Sequence, residues 1–252
     1  SMSKAAELAN LIGNINAGGG GVNRNVIING AMNVSQRRTS ASSIGNETAF
    51  VLDRFLTTQG SSDGRFTMSQ DSSAPSGFAN SLKLDCTTAD TSIAAGEFLI
   101  LRQTVEAQNC QQFAKGTSDA KPFAVSFYVK GNASATYVCE LVADDVSRQI
   151  SQTFSVTTDW TRVELTFPAD TTGAINDDNG AGLYLNIWLH AGSDYAGGTL
   201  NTTWTSITQA NRAVGISSFF DSTDRTFFIT GVQLEVGQNP TEFEHEPFER
   251  TL

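Results

Sequence analysis

Histidine and proline are scarce in this chain, with two and five among 252 residues. Basic residues are also in the minority: Lys and Arg total 16 against 26 Asp and Glu, a formal charge of -10. That balance repels phosphate backbones and offers none of the counterion release that drives nucleic-acid binding, so DNA and RNA are not expected partners. The three cysteines, Cys86, Cys110 and Cys139, cannot all pair within one chain, and no C-x-x-C spacing marks a zinc or redox site. They read as small buried thiols. No apolar run is long enough to span a membrane as a helix, so membrane insertion is not expected. The histidines, His190 and His245, stand apart from any G-x-S-x-G or H-E-x-x-H motif. Asp144-Asp145 falls at a turn between strands, where both carboxylates would be solvated. No catalytic residues and no cofactor are therefore assigned, and the chain reads as a non-enzyme.

What is present divides into two parts. From Lys4 to Ile15, Leu8, Leu11, Ile12 and Ile15 recur at helical spacing, and the run Ala17-Gly18-Gly19-Gly20-Gly21 ends the pattern. This predicts a short amphipathic helix and a flexible linker over residues 1–21, ahead of a second domain over 22–252. Such a helix is marginal alone, so it needs the body of the domain or copies of itself as a partner. Ser1 before Met2 reads as a scar of tag removal, and no classical secretion signal is read at this end.

Beyond the linker the texture is Thr, Ser, Val and Phe, with 16 Phe in all. From Phe123 to Lys130, Phe123, Val125, Phe127 and Val129 alternate with Ala124, Ser126, Tyr128 and Lys130, the period of a half-buried strand. The same period puts Val163, Leu165 and Phe167 inside between Trp160 and Phe167. It also puts Leu183, Leu185, Ile187 and Leu189 inside between Leu183 and His190. Weaker strands are expected at Phe50 to Phe55, Ser81 to Leu84, Phe98 to Val105, Tyr137 to Val142, Ile150 to Val156 and Phe227 to Val236. The fold class that follows is all-β, an antiparallel two-sheet jelly-roll sandwich with a short N-terminal helical arm. The stretch from His190 to Asp224, rich in Gly, Thr, Ser and Asn, reads as surface loops of the kind that carry binding residues.

Several segments occur in an order that carries a resemblance. These are Asn25-Val26-Ile27-Ile28-Asn29-Gly30-Ala31-Met32 with Ser35-Gln36-Arg37, then Leu52-Asp53-Arg54-Phe55 and Ser126-Phe127-Tyr128-Val129-Lys130-Gly131. Thr158-Asp159-Trp160-Thr161-Arg162 and Gly231-Val232-Gln233-Leu234-Glu235-Val236-Gly237, with Thr241-Glu242-Phe243-Glu244, complete the set. Together they resemble jelly-roll domains of tail-fibre and receptor-binding proteins of tailed phages, notably marine ones. The central and final strands are also similar to carbohydrate-binding modules. The resemblance implies a virion protein that binds a host surface polysaccharide, assembles as a homo-oligomer, usually a trimer, and contacts other virion proteins. A structural virion module that packs against its own copies is the alternative, and a polysaccharide depolymerase is a less favoured one.

Sugars stack on aromatic rings and hydrogen-bond to planar polar side chains, so an outward aromatic row on a strand is the feature to seek. Tyr184, Asn186, Trp188 and His190 form such a row, provided their face is open. Tyr128 would extend it if its strand shares the sheet, and Trp204 is a second candidate in a loop. The competing reading covers the face with a loop or a neighbouring subunit. Asn176-Asp177-Asp178-Asn179-Gly180 gathers oxygen ligands, so Asp177 and Asp178 are the place for a structural calcium. Their spacing is not that of an EF-hand loop, and a solvated turn is the favoured alternative.

Overall fold

The computed structural model describes residues 3–16 and 24–245. Thirteen strands form two sheets. In chain order they are β1 Ser40–Ile44, β2 Thr48–Phe50, β3 Phe55–Gly60, β4 Arg65–Asp71, β5 Ser81–Thr88, β6 Phe98–Glu106 and β7 Phe123–Gly131, followed by β8 Ala135–Ala143, β9 Arg148–Val156, β10 Thr161–Phe167, β11 Ala181–Ala191, β12 Thr205–Ser206 and β13 Thr226–Val236. One sheet has the order β1-β4-β5-β13-β7-β10 and the other β12-β9-β8-β11-β6-β3-β2. Every strand pairing is antiparallel. The chain is an antiparallel jelly-roll sandwich.

Alternation decides which face each side chain joins. Phe123, Val125, Phe127 and Val129 of β7 meet Val163, Leu165 and Phe167 of β10 and Leu183, Leu185, Ile187 and Leu189 of β11 in one buried core. Those inner positions are the ones the period-two pattern selects. One local expectation needs correction. The predicted strand from Phe50 to Phe55 is where β2 ends and β3 begins; Val51 to Arg54 turn the chain between them, with Arg54 in the left-handed region at φ 72°. Strands β1, β4 and β12 carry too few consecutive apolar alternations to have been predicted.

The Asn25 to Met32 segment has a structural reason for its two asparagines. The Asn25 side-chain oxygen accepts the Ile27 and Leu234 backbone N–H groups. Asn29, at φ 60°, donates through Nδ2 to the carbonyls of Val34 and Asp53 while its oxygen accepts the Val34 N–H. Side chains thus satisfy backbone groups that no ladder reaches. This segment docks at a bulge in β13, where Val232 N–H donates to the Gly30 carbonyl. Gly231 makes the bulge with φ 62°, and a Cβ there would meet the Phe78 ring at 2.7 Å.

The N-terminal helix is present as α1, Lys4–Asn16, with the Ser3 hydroxyl accepting the Ala6 N–H in the manner of an N-cap. Leu8 and Ile12 are exposed, at 57% and 50%. The Ile15 side chain and the glycine run lie outside the described residues. Among the described residues no helix is long and apolar enough to cross a membrane.

Candidate functional site

The outer face of the seven-stranded sheet is where the predicted row falls, and the structure corrects its expected openness. Asn186, Trp188 and His190 are each fully buried. The segment after β11 folds back across this face, beginning with the short helix α2, Ser193–Ala196, and lays Tyr195, Leu200, Ala213 and Ile216 over Trp188. The residues between His190 and Asp224 are therefore a cover as well as surface loops. Beneath it Glu140 gathers one group of polar side chains, while Gln149 and Ser151 of β9 keep buried polar atoms without a protein partner among the described residues. Glu140 of β8 accepts the Trp188 indole N–H at 2.8 Å and the Asn186 amide at 2.8 Å, and it pairs with both Nε and Nη2 of Arg212. Arg212 also lies over the Trp188 ring, 4.9 Å from its centroid.

His190 belongs to a second buried arrangement. Its Nε2 is 3.0 Å from Glu97 and its Nδ1 is 2.8 Å from the Ser218 hydroxyl. With Nε2–H donating to the carboxylate, Nδ1 accepts the Ser218 O–H, and Ser218 Oγ in turn accepts the Phe220 N–H. Burial drives the imidazole below its ordinary value, while Glu97 and Asp90 pull the other way. The arrangement ties the end of the covering segment to β11, and Phe220 seals it edge-on at 5.2 Å.

The remaining predicted residues are dispersed. Tyr128 lies on β7 in the six-stranded sheet, so it cannot extend a row on β11, and its ring packs on Phe78 at 5.3 Å. Trp204 closes one end of the sandwich: its indole donates to the Pro168 carbonyl, its ring lies 5.5 Å from Phe123, and buried Lys115 stands over it. Asp178 accepts the Gly180 N–H within its own turn, and Asn176 donates to Asp145 of the turn after β8. Among the described residues no group of three His, Cys, Asp or Glu is placed to hold a metal. Asp144 and Asp145 are exposed, as their turn position suggests.

What stays open on the seven-stranded sheet is the half that the cover leaves bare. Register aligns Phe50 of β2 with Leu56 of β3, Leu56 with Arg102 of β6, and Arg102 with Asn186 of β11. All four point outward, so they form one row running across the strands. Phe50 is 40% exposed at the sheet's edge. Next to this row lies a shallow cleft of about 210 Å³ walled by Phe98, Tyr195, Ile100 and Arg212, with Arg102 between the two surfaces. Phe98 and Tyr195 meet edge to face at 5.4 Å. Tyr184, the one predicted residue still partly accessible here, carries the Arg102 guanidinium 4.2 Å above its ring and donates its hydroxyl to Asp144. The cleft is smaller than an enclosed small-ligand pocket, and its walls combine aromatic faces with fixed polar groups.

Arg102, Phe98, Tyr195 and Phe50 were not singled out from the sequence. The signal for Arg102 lay in the parity of the strand from Phe98 to Val105, which puts Phe98, Ile100, Arg102 and Thr104 on one face. Tyr195 has no such signal, because a loop residue's neighbours are set by the path of the loop. The opposite sheet also has an outward aromatic pair: Trp160 and Phe228 meet at 6.1 Å, with Lys83 and Lys130 near the Phe228 ring.

No family model matches the sequence, and no curated protein does. Solved structures are similar in fold at low identity. One is the enzymatically active domain of tailspike protein 4 of bacteriophage CBA120, at 13% identity and a TM-score of 0.42. The match covers 84% of this chain but only 21% of that protein. A second is a CBM4 domain, at 12% identity and a TM-score of 0.41 over 82% of this chain and 97% of that one. A third is the family 11 carbohydrate-binding module of a cellulosomal cellulase of Clostridium thermocellum, at 10% identity and a TM-score of 0.38, over 81% of this chain and 98% of that module.

Proposed function

We propose that this chain is a glycan-binding attachment domain that holds its ligand on the open half of the seven-stranded sheet's outer face and does no chemistry on it. The observation that carries this reading is the cleft between Phe98 and Tyr195 opening onto the row Phe50, Leu56 and Arg102. Sugar rings present an apolar face for stacking and a rim of hydroxyls for hydrogen bonds, and this strip offers both in alternation.

The sequence resemblance to tail-fibre jelly rolls supports placing the domain in the virion of a tailed phage, with a host surface polysaccharide as ligand. An open face of this kind gives weak single sites, and a homotrimer would multiply them by avidity. The exposed Leu8 and Ile12 of α1 favour self-association through the arm. That same observation favours the second reading, a structural virion module whose exposed apolar side chains pack against its own copies without a ligand.

An array of bacterial surface polysaccharides, probed with the chain and with Tyr195→Ala and Trp160→Ala, separates these readings. The expected result is retention on some glycans, lost in Tyr195→Ala and kept in Trp160→Ala, with both variants folded by circular dichroism and no oligosaccharide released. Retention on none would leave the structural module. Loss only in Trp160→Ala would move the site to the other sheet.

A further inference from the structure

Arg102 is a partly buried cation whose obvious counter-charges are engaged elsewhere. Its Nε donates to the Asn186 side-chain oxygen at 2.7 Å, and its plane rests on Tyr184. Among the described residues its two Nη groups have no protein acceptor. The nearest fully buried carboxylate, Glu140, is saturated by Arg212, Asn186 and Trp188. Asp144 takes the Tyr184 hydroxyl, and Glu106 faces Arg54 at 3.7 Å. A cation taken partly out of water without a paired anion is unfavourable. Burial accordingly makes Arg102 easier to deprotonate than an ordinary arginine.

The geometry also says which anion would fit. With Nε tied back to Asn186 and the plane held by Tyr184, the guanidinium presents its terminal Nη edge to the cleft in one orientation. A planar group with two oxygens accepts two parallel N–H bonds from such an edge. The neighbouring groove is lined by two cations and one carboxylate, Arg37, Arg54 and Asp53, beside Phe50, Leu56 and Thr104. Arg54 is held there in the left-handed region, a backbone cost that persists where the surroundings impose it. From these observations we infer that the cleft takes an acidic polysaccharide, one whose uronate carboxylate is received by the Nη edge of Arg102 while the adjoining sugar packs against the outer side of the Phe98 and Tyr195 pair. Arg102 is then the residue that sets the specificity of the site. This rests on the glycan-binding reading above.

Affinity electrophoresis of the full chain through gels containing polygalacturonate, alginate or hyaluronate, each beside its carboxyl-reduced counterpart, tests the inference. The expected outcome is retardation by at least one uronate polymer, abolished by carboxyl reduction and weakened by rising salt. Arg102→Gln should weaken that retardation by about tenfold or more, since a charge-assisted pair is lost, and Arg102→Lys should recover only part of it. Circular dichroism and the melting temperature establish that both variants fold. Retardation that is equal in the intact and carboxyl-reduced gels, or seen only in the reduced ones, would overturn the carboxylate inference and leave glycan binding standing. Retardation by a uronate that Arg102→Gln does not weaken would likewise overturn it. Retardation in no gel of either kind would overturn both.

Discussion

The Trp188 indole nitrogen on β11 donates to Glu140 on β8 at 2.8 Å, with both side chains buried on what would otherwise be the outer surface of the sheet. Asn186 and Arg212 complete the shell around that carboxylate. This bond explains how a strand face can hold tryptophan and asparagine without presenting them to solvent. A polar hub satisfies their donors, and the returning segment shields it.

Breaking the hub should therefore cost stability well beyond a surface substitution. Glu140→Ala strands the Arg212 guanidinium and the indole N–H, and it should destabilise the chain by roughly 3–5 kcal/mol. The double replacement Glu140→Met with Arg212→Met should recover much of that loss, because no charge is left unpaired. Urea denaturation of the three proteins checks this. Equal stability of Glu140→Ala and the unsubstituted chain would contradict the role assigned to the hub.

Stability should also depend on His190. Burial lowers its folded-state value below the ordinary 6.5, so the unfolded chain binds the proton more readily. Its contribution is full above 6.5 and is lost as the pH falls from there toward the depressed folded value. Denaturation at pH 7.5 and 5.5 should show a smaller drop for His190→Gln than for the unsubstituted chain, whatever the absolute stabilities. Identical drops would mean that the imidazole is not held neutral.

Much of the architecture was legible from periodicity. Phe127 and Leu185 sit where alternation puts them, because an inner strand position faces the core whichever loops surround it. Trp188 was placed on the correct side of its strand with its cover left open, since period two distinguishes faces but does not say whether an outer face is covered; the structure has the loop cover of the competing reading. The cover comes from Tyr195, Arg212 and Ala213, whose positions depend on a loop path that no local pattern encodes. Arg102 lay in a recognised strand but carries no aromatic signal, and its meaning appears only when register sets it beside Asn186 and Leu56. The strand expected at Phe50 to Phe55 failed because its buried Val51 and Leu52 lie in the turn between β2 and β3.

The sandwich core offers a paired test. Phe127→Ala removes a fully buried ring that packs on Phe154 at 5.0 Å, and it should cost about 3–5 kcal/mol. Tyr137→Phe removes a hydroxyl that is buried with no protein partner, so it should be neutral or stabilising by about 1 kcal/mol. Thermal and urea unfolding of both variants would check the pair. A costly Tyr137→Phe would mean that the hydroxyl is bonded in solution.

The thiols should be silent. Burial pushes Cys86 to about 11 and Cys110 to about 12, and it raises Cys139 as well. A thiol reagent such as DTNB should release almost no colour from the folded chain, and three equivalents once denaturant is added. Fast labelling of the folded protein would place at least one thiol at the surface.

The central claim, that the open half of the seven-stranded sheet is the binding face, is tested most directly by hydrogen exchange of the chain with and without a polysaccharide it retains. Protection is predicted in peptides covering β2, β3, β6 and the segment from Tyr195 to Arg212, with little change in β7 and β10. Protection confined to the Trp160 and Phe228 side of the six-stranded sheet, or absent throughout, would contradict it.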